Sequence, residues 1–197
     1  MRALYFSLLC LCAPLSLAQT NDALKTSTAA RSQIGVTTTY DPAYSRMAYP
    51  LGDVPLERGV CSDVVIRAYR KVGVDFQYLV HRDMRAHFSA YPKIWGLKKP
   101  DTNIDHRRVP NLEVFFKRQG KALNLPQVSD SFKSGDIVSW RLDNGLAHIG
   151  IISDKKSIFG SRPLVIHNIG QGTQEEDVLF SWKIVGHYRW FNAGASR

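Results

Sequence analysis

The sequence predicts an α+β fold, with helices in the first part of the chain and a meander of strands after them. Two observations carry this. Apolar residues of the first part recur at helical spacing, whereas those of the last sixty or so residues alternate along short runs rich in β-branched and aromatic side chains. A turn signal, Asp143-Asn144-Gly145, joins two of those runs as a hairpin.

Met1-Arg2, an apolar run from Ala3 to Leu17, and the small Ser16 and Ala18 at the positions a signal peptidase checks together read as an export signal. Residues 1–18 are expected to be a signal peptide, cut after Ala18. The run is shorter than the roughly 20 residues a membrane-spanning helix needs. Cys10 and Cys12 follow the large Leu9 and Leu11, where a lipid-anchored protein carries a small residue. An exported protein, periplasmic or secreted and without a transmembrane anchor, is therefore expected. Residues 19–39 form an N-terminal helix and linker, the helix lying at 22–34. Residues 36–60 read as a long loop with Pro42, Pro50, Gly52 and Pro55, and with Tyr40, Tyr44 and Tyr49 along it. Ordered loops of that length are often functional.

Cys61 to Lys71 reads as a helix: Val64, Val65, Ala68 and Tyr69 mark one buried face, and Gly73 is a C-terminal stop. A second helix is expected from Phe76 to Ala90, ended by Pro92. A third runs from Asn111 to Gln119, opened by Pro110 and closed by Gly120. Strands are expected at 136–142, 147–152, 164–168 and 181–191. Residues 40–197 then form a single domain with room for its own core.

The formal charge of the 197-residue chain is +9. A basic exported protein is drawn to polyanions such as cell-wall polymers. Nucleic acid is excluded as a partner by compartment, and no dense basic run is interleaved with aromatics. Asp83 and His87 stand four apart, but no His-Glu-x-x-His pattern or cysteine pair accompanies them, so neither metal nor cofactor is expected. The protein is expected to act as a monomer.

Of three cysteines only Cys61 lies beyond the expected signal. A lone thiol in an exported protein is an accident, an intermolecular bridge or a reactive group. A helix N-terminus favours thiolate and offers free N–H groups to an oxyanion, and Arg58 adds positive potential nearby. The plain alternative is a buried, inert cysteine. His148 sits in a strand of small apolar residues and supplies a base, or else is a satisfied core histidine. His167 lies on the next strand and would orient His148. Asn168 competes for that role; strand alternation lets only one of the two face His148. A redox role lacks a second mature cysteine. Arg107 and Arg108 form a pair suited to carboxylates, and Arg58, Asp63 and Trp140 are further candidates for substrate binding.

Val60-Cys61-Ser62-Asp63-Val64-Val65, Gly135-Asp136-Ile137-Val138-Ser139-Trp140, His148-Ile149-Gly150-Ile151 and Val165-Ile166-His167-Asn168 resemble the motifs of the NlpC-like branch of papain-fold cell-wall hydrolases. Asn103-Ile104-Asp105-His106-Arg107-Arg108-Val109-Pro110-Asn111-Leu112 resembles the signature of a family of secreted bacterial proteins catalogued only as a domain of unknown function. The resemblance covers roughly residues 40 to 190. It implies a papain-like (NlpC-type) fold, with Cys61 at a helix start packed on an antiparallel sheet. It implies Cys61 as nucleophile, His148 as base and then acid, and His167 as third member. The implied reaction is hydrolysis of an amide through an acyl-enzyme, and the implied substrate is peptidoglycan stem peptides or another anionic cell-envelope substrate. Where the better-known enzymes carry Asp before the Cys and Gly after the Ser, this chain carries Val60 and Asp63. An acyltransferase or amidase of the same fold, or a non-catalytic cell-wall binding module, are the alternatives.

Overall fold

The computed structural model describes residues 13–125, 128–158 and 160–191. Helices cover one face of a five-stranded antiparallel sheet. The helices are α1 (Ala13–Arg31), α2 (Cys61–Arg70), α3 (Phe76–His87) and α4 (Val109–Arg118). A short parallel pair, β1 (Thr39–Tyr40) and β2 (Arg58–Gly59), precedes α2. The sheet holds β3 (Ile137–Arg141), β4 (Ala147–Lys156), β5 (Pro163–Asn168), β6 (Thr173–Glu176) and β7 (Lys183–Tyr188), in the order β6-β5-β4-β3-β7. The mixed architecture is the α+β class expected from the sequence.

The expected helices and strands appear close to their predicted bounds. Helix α1 begins at Ala13 rather than at residue 22, and residues 1–12 of the expected signal peptide lie outside the described residues. The last strand is shorter than 181–191. Two features went unread. β1 and β2 are two residues each, too short to leave a pattern. β6, Thr173-Gln174-Glu175-Glu176, is wholly polar because it is an edge strand, where charge discourages pairing with another chain. Among the described residues no helix is long and apolar enough to cross a membrane.

Alternation along the strands builds two cores. Ile137, Ile149, Ile151 and Ile166 meet Val64, Val65, Ala68 and Tyr69 of α2, with Phe76, Leu112, Phe115 and Phe116 behind. On the other face Val138, Trp140, Ile152 and Val165 pack with Phe132 and Leu179. Full burial of each such side chain contributes about 1.5–3 kcal/mol. Trp140 donates its indole N–H to the Leu179 carbonyl at 3.0 Å, so its one polar atom is satisfied inside the second core.

The long loop before α2 is fixed from the helix side. Arg67 is 6 % exposed and reaches out of α2 to the Asp53 carboxylate (3.0 and 3.1 Å), the Thr37 hydroxyl (2.9 Å) and the carbonyls of Val54 and Arg58 (3.1 and 3.0 Å). One side chain thereby satisfies loop carbonyls that no strand ladder reaches. Arg67→Met should leave the Val54 and Arg58 carbonyls without this donor and Asp53 with only the more distant Arg70 as a cation, and should lower stability by about 3 kcal/mol, read as a lower urea midpoint with little change in slope.

Candidate active site

The parallel β1–β2 pair delivers the chain to the start of α2. Val60, in extended conformation at the N-cap, has no side-chain acceptor to cap the helix. Asp63 does it from the third position: its Oδ2 accepts the Val60 N–H at 2.7 Å. The Asp63 carboxylate is in turn gripped by Arg107, whose Nε and Nη2 each lie 2.9 Å from an oxygen. Both side chains are almost fully buried. Arg107 also donates to the carbonyls of Ala43 and Asp41, at 3.0 and 3.1 Å. Ser62 donates its hydroxyl to the Arg107 carbonyl at 2.6 Å. Asn168, at the end of β5, donates to the Gly59 carbonyl at 3.1 Å. Gly59 is needed there, since a Cβ would stand 3.0 Å from the Asp63 carboxylate.

Several sequence expectations change here. Asp63 and Arg107 were expected to meet substrate; they are spent on each other and on backbone. Asn168 holds the chain before Cys61 and does not face His148. Arg58 is half exposed and pairs with Asp41 at 3.2 Å. Trp140 is fully buried behind His148, so it is a wall of the core rather than of a cleft. Arg108 alone among these candidates keeps its side chain at the cleft without a hydrogen-bond partner among the described residues.

Cys61 itself is 4 % exposed. The helix terminus was expected to lower its pKa. Instead burial pushes the thiol up to about 12, while the nearby backbone N–H groups of Ile149, Ser62 and Cys61 pull the other way and the Asp63 charge adds to the rise. The magnitudes decide this. A helix end contributes about 0.3–1 kcal/mol, less than one pKa unit, whereas full burial shifts a group by up to about 3–5 units. The resting thiol is neutral.

His148 on β4 and His167 on β5 meet: Nε2 of the first and Nδ1 of the second are 2.9 Å apart. His148 stacks on Trp140 with ring centroids 5.6 Å apart, and Trp182 stands edge-on to both imidazoles. Gly150 makes this possible, since a Cβ there would meet Val165 Cγ1 at 2.8 Å and the His167 Cβ at 3.2 Å. His167 Nε2 lies 3.0 Å from a Glu176 carboxylate oxygen, out of line for a good hydrogen bond. Both imidazoles have lowered pKa values, His148 to about 3, first through burial and then through the neighbouring His167. Glu176 escaped the sequence reading because β6 did, and Trp182, inside the expected last strand, was not marked as a partner of this pair.

Alternation sets His148 and His167 on the face of Trp140 and Val165, whereas α2 lies on the face of Ile149 and Ile151. Cys61 and His148 therefore belong to opposite faces of the sheet. The sheet is open beside the start of β4. β4 and β5 are in register at Ile151–Ile166 and Ile152–Val165, and the earlier part of β4 has no β5 partner. That leaves the Ile149 N–H without a strand partner, close enough to the Cys61 sulfur to favour its ionised form. Among the described residues no hydrogen bond joins the sulfur to the His148 ring.

Cys61 lines a cleft of about 800 Å³, with Tyr40, Tyr44, Trp95, Arg108, Arg141 and Leu146 around it. Of the three loop tyrosines of the sequence reading, Tyr40 and Tyr44 reach the site, whereas Tyr49 packs against Tyr78 and His81. Burial pushes the Tyr40 hydroxyl up to about 12, and the Asp63 charge adds to the rise. Arg141, unread from the sequence, is forked onto Glu113 with both bonds at 2.7 Å.

The family described as "Domain of unknown function (DUF1287)" matches residues 27–190. The chain is similar to "Uncharacterized protein YijF" of Escherichia coli (strain K12), 61 % identical over 173 residues, 88 % of this chain and 84 % of that protein. Among solved structures it is similar to NlpC1 from Trichomonas vaginalis, with a TM-score of 0.49 and 14 % identity over 87 % of this chain. The chain spans less than half of that structure's length, 45 %.

Two outcomes follow from this geometry. Arg107→Ala should strand the buried Asp63 charge and lower stability by about 3–5 kcal/mol, whereas an Asp63→Asn/Arg107→Met pair should cost less, read by urea unfolding of all three proteins. Stability should also peak near neutral pH. His148 and His106 have folded pKa values lowered to about 3 and 4 from 6.5, so the unfolded chain takes protons first and stability falls as pH drops below about 6.5. Cys61 has a raised value, so stability falls again as pH rises past its ordinary 9 toward 12. A urea midpoint that stays flat from pH 7 down to 4 would contradict the buried neutral imidazoles.

Proposed function

The chain belongs to the DUF1287 family, and from that premise together with the site geometry we propose that it is an exported thiol hydrolase that cleaves an amide bond in peptidoglycan stem peptides. One observation carries the reading: the 2.9 Å bond between the buried imidazoles of His148 and His167, set at the open end of β4 where the Cys61 sulfur lies close to the Ile149 N–H. A buried histidine pair with a thiol at the adjoining strand end is an arrangement for general-base catalysis. The likeness of the motifs to NlpC-like hydrolases, the basic charge and the apolar N-terminal run support the substrate and the periplasmic or secreted location.

The chemistry would run as follows. His148 spends Nε2 on His167, which leaves Nδ1 to accept the Cys61 proton. Because the resting thiol is neutral, that transfer accompanies attack of sulfur on the amide carbonyl carbon. The oxyanion of the tetrahedral intermediate takes hydrogen bonds from the backbone N–H groups of Cys61 and Ser62. As the C–N bond breaks, His148 returns the proton to the leaving amine. Water, deprotonated by His148, then attacks the thioester carbonyl; the C–S bond breaks, the acid leaves, and His148 returns the proton to the Cys61 sulfur. His167 keeps the tautomer and plane of His148 throughout.

A second reading, a cell-wall binding module without turnover, draws on the protonated thiol and on the absence, among the described residues, of a sulfur–imidazole hydrogen bond. Incubation of purified protein with muropeptides, followed by mass spectrometry, separates the two. Wild type should release new amine and acid termini, and Cys61→Ala and His148→Ala should each lose roughly a thousandfold or more in rate. A product carrying a new amide or ester in place of the acid would assign acyl transfer. Binding equal in wild type and Cys61→Ala, with turnover by neither, would establish the module and overturn the hydrolase.

A further inference from the structure

We propose, resting on the reading of Cys61 as nucleophile, that the cleft carries a carboxylate subsite made by Arg108 on the Trp95 ring, so that the preferred substrate bears a free carboxylate close to the bond that is cut. Arg107, Arg108 and Arg141 all line the cleft. Two are already committed. Arg107 is forked onto Asp63 and two backbone carbonyls, and Arg141 onto Glu113. Among the described residues no hydrogen bond engages the Arg108 side chain, and its Nη1 is buried without a partner. The nearest carboxylate, Asp105, stands 3.7 Å away, beyond hydrogen-bond reach, so it offsets part of the charge and occupies none of the donors.

The guanidinium is nonetheless held. It lies 4.2 Å from the centroid of the Trp95 ring, a cation–π contact that fixes its plane. A planar fork fixed in this way and left unfilled matches a carboxylate, which takes two parallel N–H donors at once. Burial pulls the Arg108 pKa down, a strain that an arriving anion relieves. Ile94 and Tyr44, both exposed on the same cleft, offer apolar surface to the chain that carries the acid.

The test uses the full chain with Cys61→Ala, so that binding is measured without turnover. The probes are N-acetyl-L-alanyl-D-glutamic acid and N-acetyl-L-alanyl-D-isoglutamine, which differ by one carboxylate against one carboxamide. By calorimetry the acid should bind about tenfold tighter than the amide, the scale of one charge-assisted hydrogen bond. Arg108→Gln should remove that preference, and Arg108→Lys, which keeps the charge but not the fork, should keep part of it. Both variants should unfold at the same urea midpoint as the parent. Equal binding of the two probes, no binding of either at millimolar concentration, or a preference that survives Arg108→Gln overturns the subsite. The outcome is separable from the hydrolase reading: wild-type turnover without acid preference rejects the subsite alone, and an Arg108-dependent preference without turnover rejects the hydrolase alone.

Discussion

The buried ion pair between Asp63 and Arg107 is the interaction on which the site depends. It takes the place of an ordinary N-cap, because Val60 has no acceptor to give. A carboxylate at the third helical position would otherwise leave a charge close to the thiol. Arg107 neutralises it and, with its remaining donors, draws in the backbone of Asp41 and Ala43. The start of α2, the 105–107 turn and the loop that carries Tyr40 are thereby one assembly. Measured against replacement by apolar residues, such a pair is weak evidence for stability. Its value here is in fixing where Cys61 sits.

The overall fold was legible because its signals are repetitive. Helical spacing in α2 and α3, the Pro110 and Gly120 stops of α4, and the alternation of β3 and β4 each repeat over several residues, so one deviation does not erase them. β6 failed for the opposite reason. Its residues answer to an edge position and to Arg31, whose guanidinium binds Glu175, rather than to an apolar core. The parallel β1–β2 pair has too few residues to show any period.

The site was legible in its residue types and less so in its physics. Cys61, His148 and His167 stood out because each is a reactive group in an apolar run. Alternation told correctly that His167 and Asn168 face opposite ways, and the structure gives His148 to His167. What composition could not convey was burial. The helix terminus stabilises the thiolate by less than desolvation costs it, and the thiol pKa is raised rather than lowered. Asp63, Arg107 and Trp140 were marked as substrate contacts from chemistry alone. Each is consumed by a partner distant in sequence, which no local window reveals.

The nearness of the Ile149 amide to the Cys61 sulfur has a consequence of its own. Every neighbouring amide of that strand's core answers to an oxygen, whose proton affinity does not change over the working range. This one faces an atom that gains a full negative charge when it ionises and exchanges its proton for an electron-withdrawing acyl group when it is acylated. The nitrogen and proton resonances of a single backbone position in the middle of the sheet are therefore tied to the chemical state of the thiol. The protein carries a spectroscopic indicator of its own nucleophile, readable without a substrate, an attached probe or a substitution.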